Sequence, residues 1–90
     1  MEFEFDPAKA RSNLRKHGIS LDDAATVFGD PLAVTALDPD HSELEDRFIT
    51  IGHTSKGVLI VMSHTERGDV PRIISARRAT RKERKNYEEG

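Results

Sequence analysis

Cysteine and tryptophan are absent from the 90 residues, and the only aromatics are four phenylalanines and one tyrosine. Without cysteine, no disulfide can staple the fold and no thiolate can hold zinc. Stability must come from a modest core, since a chain this short buries only about two-thirds of its unfolded surface. Long apolar runs are also missing. The longest strongly apolar stretch is Val58 to Met62, far short of the roughly 20 residues that cross a bilayer. The N-terminus, MEFEFDPAKA, is acidic and lacks the apolar run of a signal peptide. The expectation is one domain, residues 1–90, in the cytoplasm, without membrane contact. There is no glycine-rich phosphate loop and no Gly-x-Ser-x-Gly elbow, which speaks against nucleotide-driven chemistry and a serine-hydrolase triad.

Metal chemistry finds equally little support. The four histidines (His17, His41, His53 and His64) include no pair at helical metal-ligand spacing. If Ser55-Lys56-Gly57 is a hairpin turn, residue 53 opposes 59 and residue 48 opposes 64, which puts His53 and His64 on opposite faces. No metal and no cofactor are expected.

Charge is abundant, at 33% of residues, and unevenly spread. Residues 1–46 carry four basic and eleven acidic side chains (−7), and residues 47–90 carry ten basic and five acidic (+5), which returns the net −2. A basic half suits a polyanion or an acidic protein surface. The plainer reading is that the two halves neutralise each other in the fold.

Local signals predict an α+β domain. Phe3 and Phe5 alternate with acids as in a short strand. Asp6 and Pro7 have the form of an N-cap and first helical residue, and Gly18 that of a C-terminal stop, so a helix is expected to about His17. Ala10, Leu14 and His17 share its predicted apolar face. Ser20-x-x-Asp23 resembles a capping box that opens a second helix, ended by Gly29 and Pro31. Leu32 to Leu37 can form a strand, followed by an acidic loop over 38–46. The remainder reads as a β-meander: Arg47 to His53, a covered central strand Val58 to Met62, a turn at Glu66 to Pro71, and Arg72 to Arg78. Thr80-x-x-Glu83 is a capping box for a last helix that is polar nearly all round.

The basic residues of this second half are candidates for an RNA-binding face: Arg47, Arg72, Arg81, Lys82 and Lys85, with Tyr87 either anchoring the last helix or stacking a base. Arg77 is placed on the face of Ile73 and Ser75. Salt bridging to the acidic half is the competing reading for each arginine. His17 is either a half-buried histidine at a helix C-terminus or a general acid or base.

The segments Phe3-Glu4-Phe5-Asp6-Pro7-Ala8-Lys9-Ala10 and Asn13-Leu14-Arg15-Lys16-His17-Gly18-Ile19-Ser20 resemble the opening of BrnT-family toxins. His64-Thr65-Glu66-Arg67-Gly68, Arg72-Ile73-Ile74-Ser75-Ala76-Arg77-Arg78-Ala79 and Glu83-Arg84-Lys85-Asn86-Tyr87 resemble its closing half. Phe5 stands where that family usually has tryptophan, and Ala33 to Asp46 carries no recognisable motif. The resemblance implies a RelE-like fold: a small antiparallel β-sheet, two N-terminal helices and a C-terminal helix. It also implies RNA cleavage that inhibits translation, neutralisation by a BrnA-like antitoxin, and contact with DNA only through that antitoxin. The family's motif positions fall on Lys16, His17, Arg67 and Arg77.

RNA supplies its own nucleophile, the 2′-OH, so a metal-independent endoribonuclease needs only orientation, proton transfer and charge neutralisation. Arg67 and Arg77 are assigned to the phosphate, His17 to proton transfer and Lys16 to charge support. A non-catalytic RNA- or protein-binding module would use the same basic face. DNA binding by this chain itself finds no helix-turn-helix with a basic recognition helix.

Overall fold

The computed structural model describes residues 2–42 and 45–90, and for Arg67 the backbone alone. Glu43 and Leu44 of the expected acidic loop lie outside the described residues. Strand β1 is two residues long, Glu4–Phe5, because Asp6 and Pro7 turn the chain at once into helix α1, Pro7–His17. The Asp6 carboxylate accepts from the Ala8 amide at 2.8 Å. Gly18 ends the helix in the left-handed conformation (φ 69°), its N–H donating to the Leu14 carbonyl, as a C-capping glycine does. The Ser20 hydroxyl caps the short helix α2, Leu21–Ala25, which continues as a 3-10 turn over Thr26–Gly29. Strands β2 (Val34–Leu37), β3 (Arg47–His53), β4 (Leu59–Arg67) and β5 (Val70–Arg78) follow, then helix α3, Arg81–Glu89.

The sheet order is β1-β5-β4-β3-β2. It is antiparallel except at β1, which runs parallel to β5. As expected, His53 opposes Leu59 and Phe48 opposes His64. The hairpin between β4 and β5 is tighter than predicted. Arg67 pairs with Val70, so Glu66, Arg67, Val70 and Pro71 belong to strands, and β4 begins at Leu59 and runs well past Met62. β2 starts at Val34 rather than Leu32.

One face of the sheet is the core. Ile60, Met62, Ile73 and Ala76 pack against Ile19, Leu21, Ala24, Ala25 and Val27, all buried. Each large apolar side chain so buried is worth roughly 1.5–3 kcal/mol relative to exposure. The chain after α2 presses on β3 at Gly52. A Cβ there would lie 2.9 Å from both the Ala33 and Val27 side chains, so only glycine fits this crossing. The opposite face carries Arg47, Ile49, Ile51, Val61, Ser63, Thr65, Arg72, Ser75 and Arg77 by register. A bulge opposite Ser63 and His64 breaks the alternation of β5 at Ile74. Ile73 is therefore a core residue, and Arg77 stands on the other face from it, contrary to the expectation that they share one.

Helix α1 departs from prediction in the same way. Leu14 is 53% exposed and His17 is exposed, whereas Asn13 is buried. Beyond Phe5 no described strand pairs with the outer edge of β5, and the Asn13 amide takes that place. Its nitrogen donates to the Ala76 carbonyl (2.8 Å) and to the Ile19 carbonyl (2.9 Å), and its oxygen accepts from the Ala76 amide (2.9 Å). A helix whose predicted stripe is apolar is thus tied to the sheet by an amide.

Two stability predictions follow from these contacts. Asn13→Ala leaves the Ala76 N–H and two carbonyls buried without partners, at about 1–3 kcal/mol each. Thermal unfolding should show a loss of about 3 kcal/mol or more, with a melting temperature lower by over ~10 °C. His64, buried in the core face, shares a 2.7 Å hydrogen bond between Nε2 and the Thr50 hydroxyl. Burial pushes its imidazole below the ordinary value of 6.5, against the opposite pull of Glu66. The unfolded chain therefore binds a proton that the native one resists, and stability should fall as pH drops below 6.5. Comparing denaturant midpoints of wild type and His64→Gln between pH 7 and about 5.5 isolates this contribution; the variant should give the flatter profile.

Candidate active site

Where the outer edge of β5 has no strand beside it, that edge and the last turns of α1 enclose an open cleft of about 230 Å³, lined by Lys9, Ser12, Asn13, Lys16, His17, Ile74 and Ser75. The helical repeat brings Lys9, Ser12 and Lys16 to one side of α1, and the Asn13 amide fixes that side against Ser75 and Ala76. Lys16 and His17 are both exposed. They occupy the C-terminal turn, where the helix dipole favours cations. Two of the four expected catalytic residues are therefore together, with a second lysine, Lys9, and a serine that sequence reasoning passed over. The spacing 9, 12, 16 was a usable signal, since it marks one helical side.

Arg77 is two residues beyond Ser75 on β5. It is 44% exposed and held by Glu83 through two parallel bonds, Nη1 to Oε1 at 2.7 Å and Nη2 to Oε2 at 2.9 Å. Glu83 is also the reciprocal member of the α3 capping box with Thr80. Hydrogen bonds from Arg77, assisted by the Thr80 amide, hold its carboxyl down at about 2. Arg77 is thus partnered at neutral pH rather than free for phosphate.

Arg67 is remote from it. Arg77 opposes Val61 on β4, six residues from Arg67 (61 to 67), about 20 Å at ~3.3 Å per residue. The two cannot grip one phosphate, and the expectation that they act as a pair is corrected by the register of the hairpin. The side chain of Arg67 lies outside the described residues.

Arg47 and Arg72 are half-buried at the far end of the sheet face that α3 leaves open, where no described residue forms an ion pair or hydrogen bond with either guanidinium. Arg81, Lys82 and Lys85 are exposed along α3. Tyr87 is half-buried. Its ring meets His53 edge-on with centroids 5.6 Å apart, and its hydroxyl donates to Asp30 Oδ2 at 3.4 Å. It anchors α3 across β3, and base stacking would have to displace it. Asp30, not singled out in the sequence, is the fastening point. It accepts from the Leu32 amide (2.9 Å) and the His53 amide (2.8 Å), and these bonds lower its carboxyl below the usual range.

Among the described residues no three His, Cys, Asp or Glu side chains cluster as metal ligands would, and no helix is long and apolar enough to cross a membrane.

Residues 5–83 match the family described as the ribonuclease toxin, BrnT, of type II toxin–antitoxin systems. No curated protein matches the sequence. Among solved structures, the 1.1 Å crystal structure of the Brucella abortus ribonuclease toxin BrnT superposes with a TM-score of 0.65 at 23% identity, over 90% of this chain and 99% of that one. At that identity the superposition speaks for the fold, and the family profile, spanning most of the chain, speaks for descent. The chain belongs to the BrnT family of type II toxin–antitoxin ribonuclease toxins.

Proposed function

We propose that this protein is a metal-independent endoribonuclease that cuts at the β5 edge, blocks translation by doing so, and is held inactive by a BrnA-like antitoxin. Family membership supplies RNA as the substrate class and an antitoxin as partner. The observation that carries the catalytic reading is the cleft itself: Lys9, Lys16 and His17 converge on Ser75, with Arg72 and Arg77 before and after it on the same strand. A cation-lined groove of this kind tracks a phosphodiester backbone.

In this reading the ribose 2′-oxygen attacks the adjacent phosphorus and the bond from phosphorus to the 5′-oxygen breaks, leaving a 2′,3′-cyclic phosphate. His17 takes the 2′-OH proton and the departing oxygen takes one from solvent. Lys16, with Lys9, neutralises charge gathering on the phosphoryl oxygens. The nucleophile belongs to the substrate, so no metal-bound water is needed. Arg77 contributes by keeping α3 in place through Glu83, or by meeting a neighbouring phosphate when RNA displaces that carboxylate. Arg81, Lys82 and Lys85 extend the positive surface along α3, and the antitoxin is placed over part of this basic surface.

End-labelled RNA incubated with the pure protein in EDTA should yield products with cyclic-phosphate ends. His17→Ala should lower kcat/KM by about 10²-fold or more, the usual scale for a lost general base. Lys16→Ala should cost less, and binding of uncleavable 2′-O-methyl RNA should persist in His17→Ala. Equal cleavage by His17→Ala would remove His17 from the mechanism, and binding without cleavage by wild type under all conditions would make the protein a binding module. A saturating antitoxin should abolish cleavage of a short RNA; undiminished cleavage would exclude simple occlusion.

A further inference from the structure

The register of the sheet sets four side chains in one cross-strand row: Glu4 on β1, Arg72 on β5, Thr65 on β4 and Arg47 on β3. They lie on the face turned away from the core. Helix α3 crosses that face at its other end, through Arg77, His53 and Asp30, and does not reach this row.

Thr65 is anomalous. It is 1% exposed, and its hydroxyl is one of two buried side-chain polar atoms among the described residues with no hydrogen-bond partner. A buried hydroxyl left unpaired is destabilising, and valine would fill the same volume without that cost. Directly opposed neighbours in a sheet have Cβ atoms about 5 Å apart, so Thr65 is flanked in the row by Arg47 and Arg72, both half-buried residues whose guanidinium groups have no described partner. Glu4 closes the row on the β1 side without an ion pair to Arg72. One donor hydroxyl between two forked cations matches the oxygens of a phosphodiester.

We propose that Arg47, Thr65 and Arg72 form a phosphate-binding subsite of this protein, taking a backbone phosphate of RNA at a distance from the bond that is cut. The assignment rests on the ribonuclease reading for its ligand but not for its geometry. Arg72 is three residues from Ser75, about 10 Å along β5, so the subsite positions a strand whose scissile bond lies in the cleft. In the free protein the hydroxyl is buried. Binding swings the two heads onto the phosphate oxygens and opens the hydroxyl to donate to a third.

The test uses the full chain and a short 2′-O-methyl RNA, which cannot be cut by 2′-OH attack, with affinity read by fluorescence anisotropy across a salt series. Thr65→Val should bind about tenfold or more weakly, the loss of a hydrogen bond to a charged group, while its melting temperature stays level or rises because no native partner is lost. Thr65→Ser should behave as wild type. Arg47→Met combined with Arg72→Met should reduce the slope of log K against log salt by about 0.7, one phosphate contact on a single strand. Wild-type affinity and slope in both Thr65→Val and the double arginine variant would overturn the subsite, even if natural RNA is still cut. If wild type cuts no RNA but Thr65→Val loses oligonucleotide binding, the nuclease reading fails and the subsite stands. Sensitivity to Thr65→Val seen with inorganic phosphate but not with the oligonucleotide would overturn assignment to RNA, as would the same sensitivity confined to an acidic peptide.

Discussion

The amide of Asn13 is the contact on which the arrangement depends. β5 lies beside β1 for two residues only, because Asp6 and Pro7 end β1. The rest of that edge would expose unpaired backbone, which in a free sheet edge invites pairing with another chain. Asn13 copies what a strand would offer at Ala76, one donor and one acceptor at strand distance, and spends its second N–H on the Ile19 carbonyl. Glutamine would be a methylene too long and aspartate would set oxygen against two carbonyls. The same three bonds orient α1 so that Lys9, Lys16 and His17 overhang Ser75. Edge protection and the cleft are therefore one device, and a β1 two residues longer would fill the space that the cleft occupies.

Helix α3 solves a different problem. It has almost no apolar side, so burial cannot hold it. It is fixed at two polar points, Glu83 on Arg77 and Tyr87 on Asp30. Both contacts are partly exposed, so solvent screens the Arg77–Glu83 pair despite its bidentate geometry. A helix held across a basic face by polar contacts of this kind can yield to a polyanion that competes for Arg77. Releasing Glu83 would leave its carboxylate near the α3 N-terminus, where the capping box and the helix dipole still accommodate it, and would free Arg77 for phosphate at modest cost.

Much of this was legible in the chain. Asp6-Pro7, Gly18, Ser20 and Thr80-x-x-Glu83 act locally, within four residues, so the sequence carries them in full. The β3 to β4 register followed from a short turn. What escaped is non-local. The parallel pairing of β1 involves residues some 68 positions apart, Glu4 with Arg72. The Ile74 bulge reverses faces without a glycine or proline to mark it. Asn13 was overlooked because polar helix residues are read as solvent-facing, yet asparagine is a poor helix former that normally favours caps and turns. One placed mid-helix with no cap to make was the available clue. The mistaken pairing of Arg67 with Arg77 had a readable remedy, since a turn centred on Gly68 places them at opposite ends of the hairpin.

The two buried side-chain atoms without a hydrogen-bond partner among the described residues, His64 Nδ1 and Thr65 Oγ1, are neighbours on β4 that point to opposite faces. A sheet serving only as scaffold would be more stable with apolar residues at both positions, since leaving a buried polar group unpaired costs more than replacing it with an apolar side chain of the same shape. The two cases differ in what lies near. His64 keeps a partner at Nε2 and has the Glu66 carboxylate 3.4 Å from Nδ1 without hydrogen-bond geometry, so a small shift of an exposed side chain would satisfy it. Thr65 Oγ1 has no hydrogen-bond partner among the described residues, and its cross-strand neighbours are the cations Arg47 and Arg72. Cations cannot accept its proton, so within the protein the hydroxyl is stranded as a donor. A ligand oxygen with negative charge satisfies the hydroxyl and both guanidinium groups together, and that shared deficit distinguishes this end of the sheet from an ordinary basic surface.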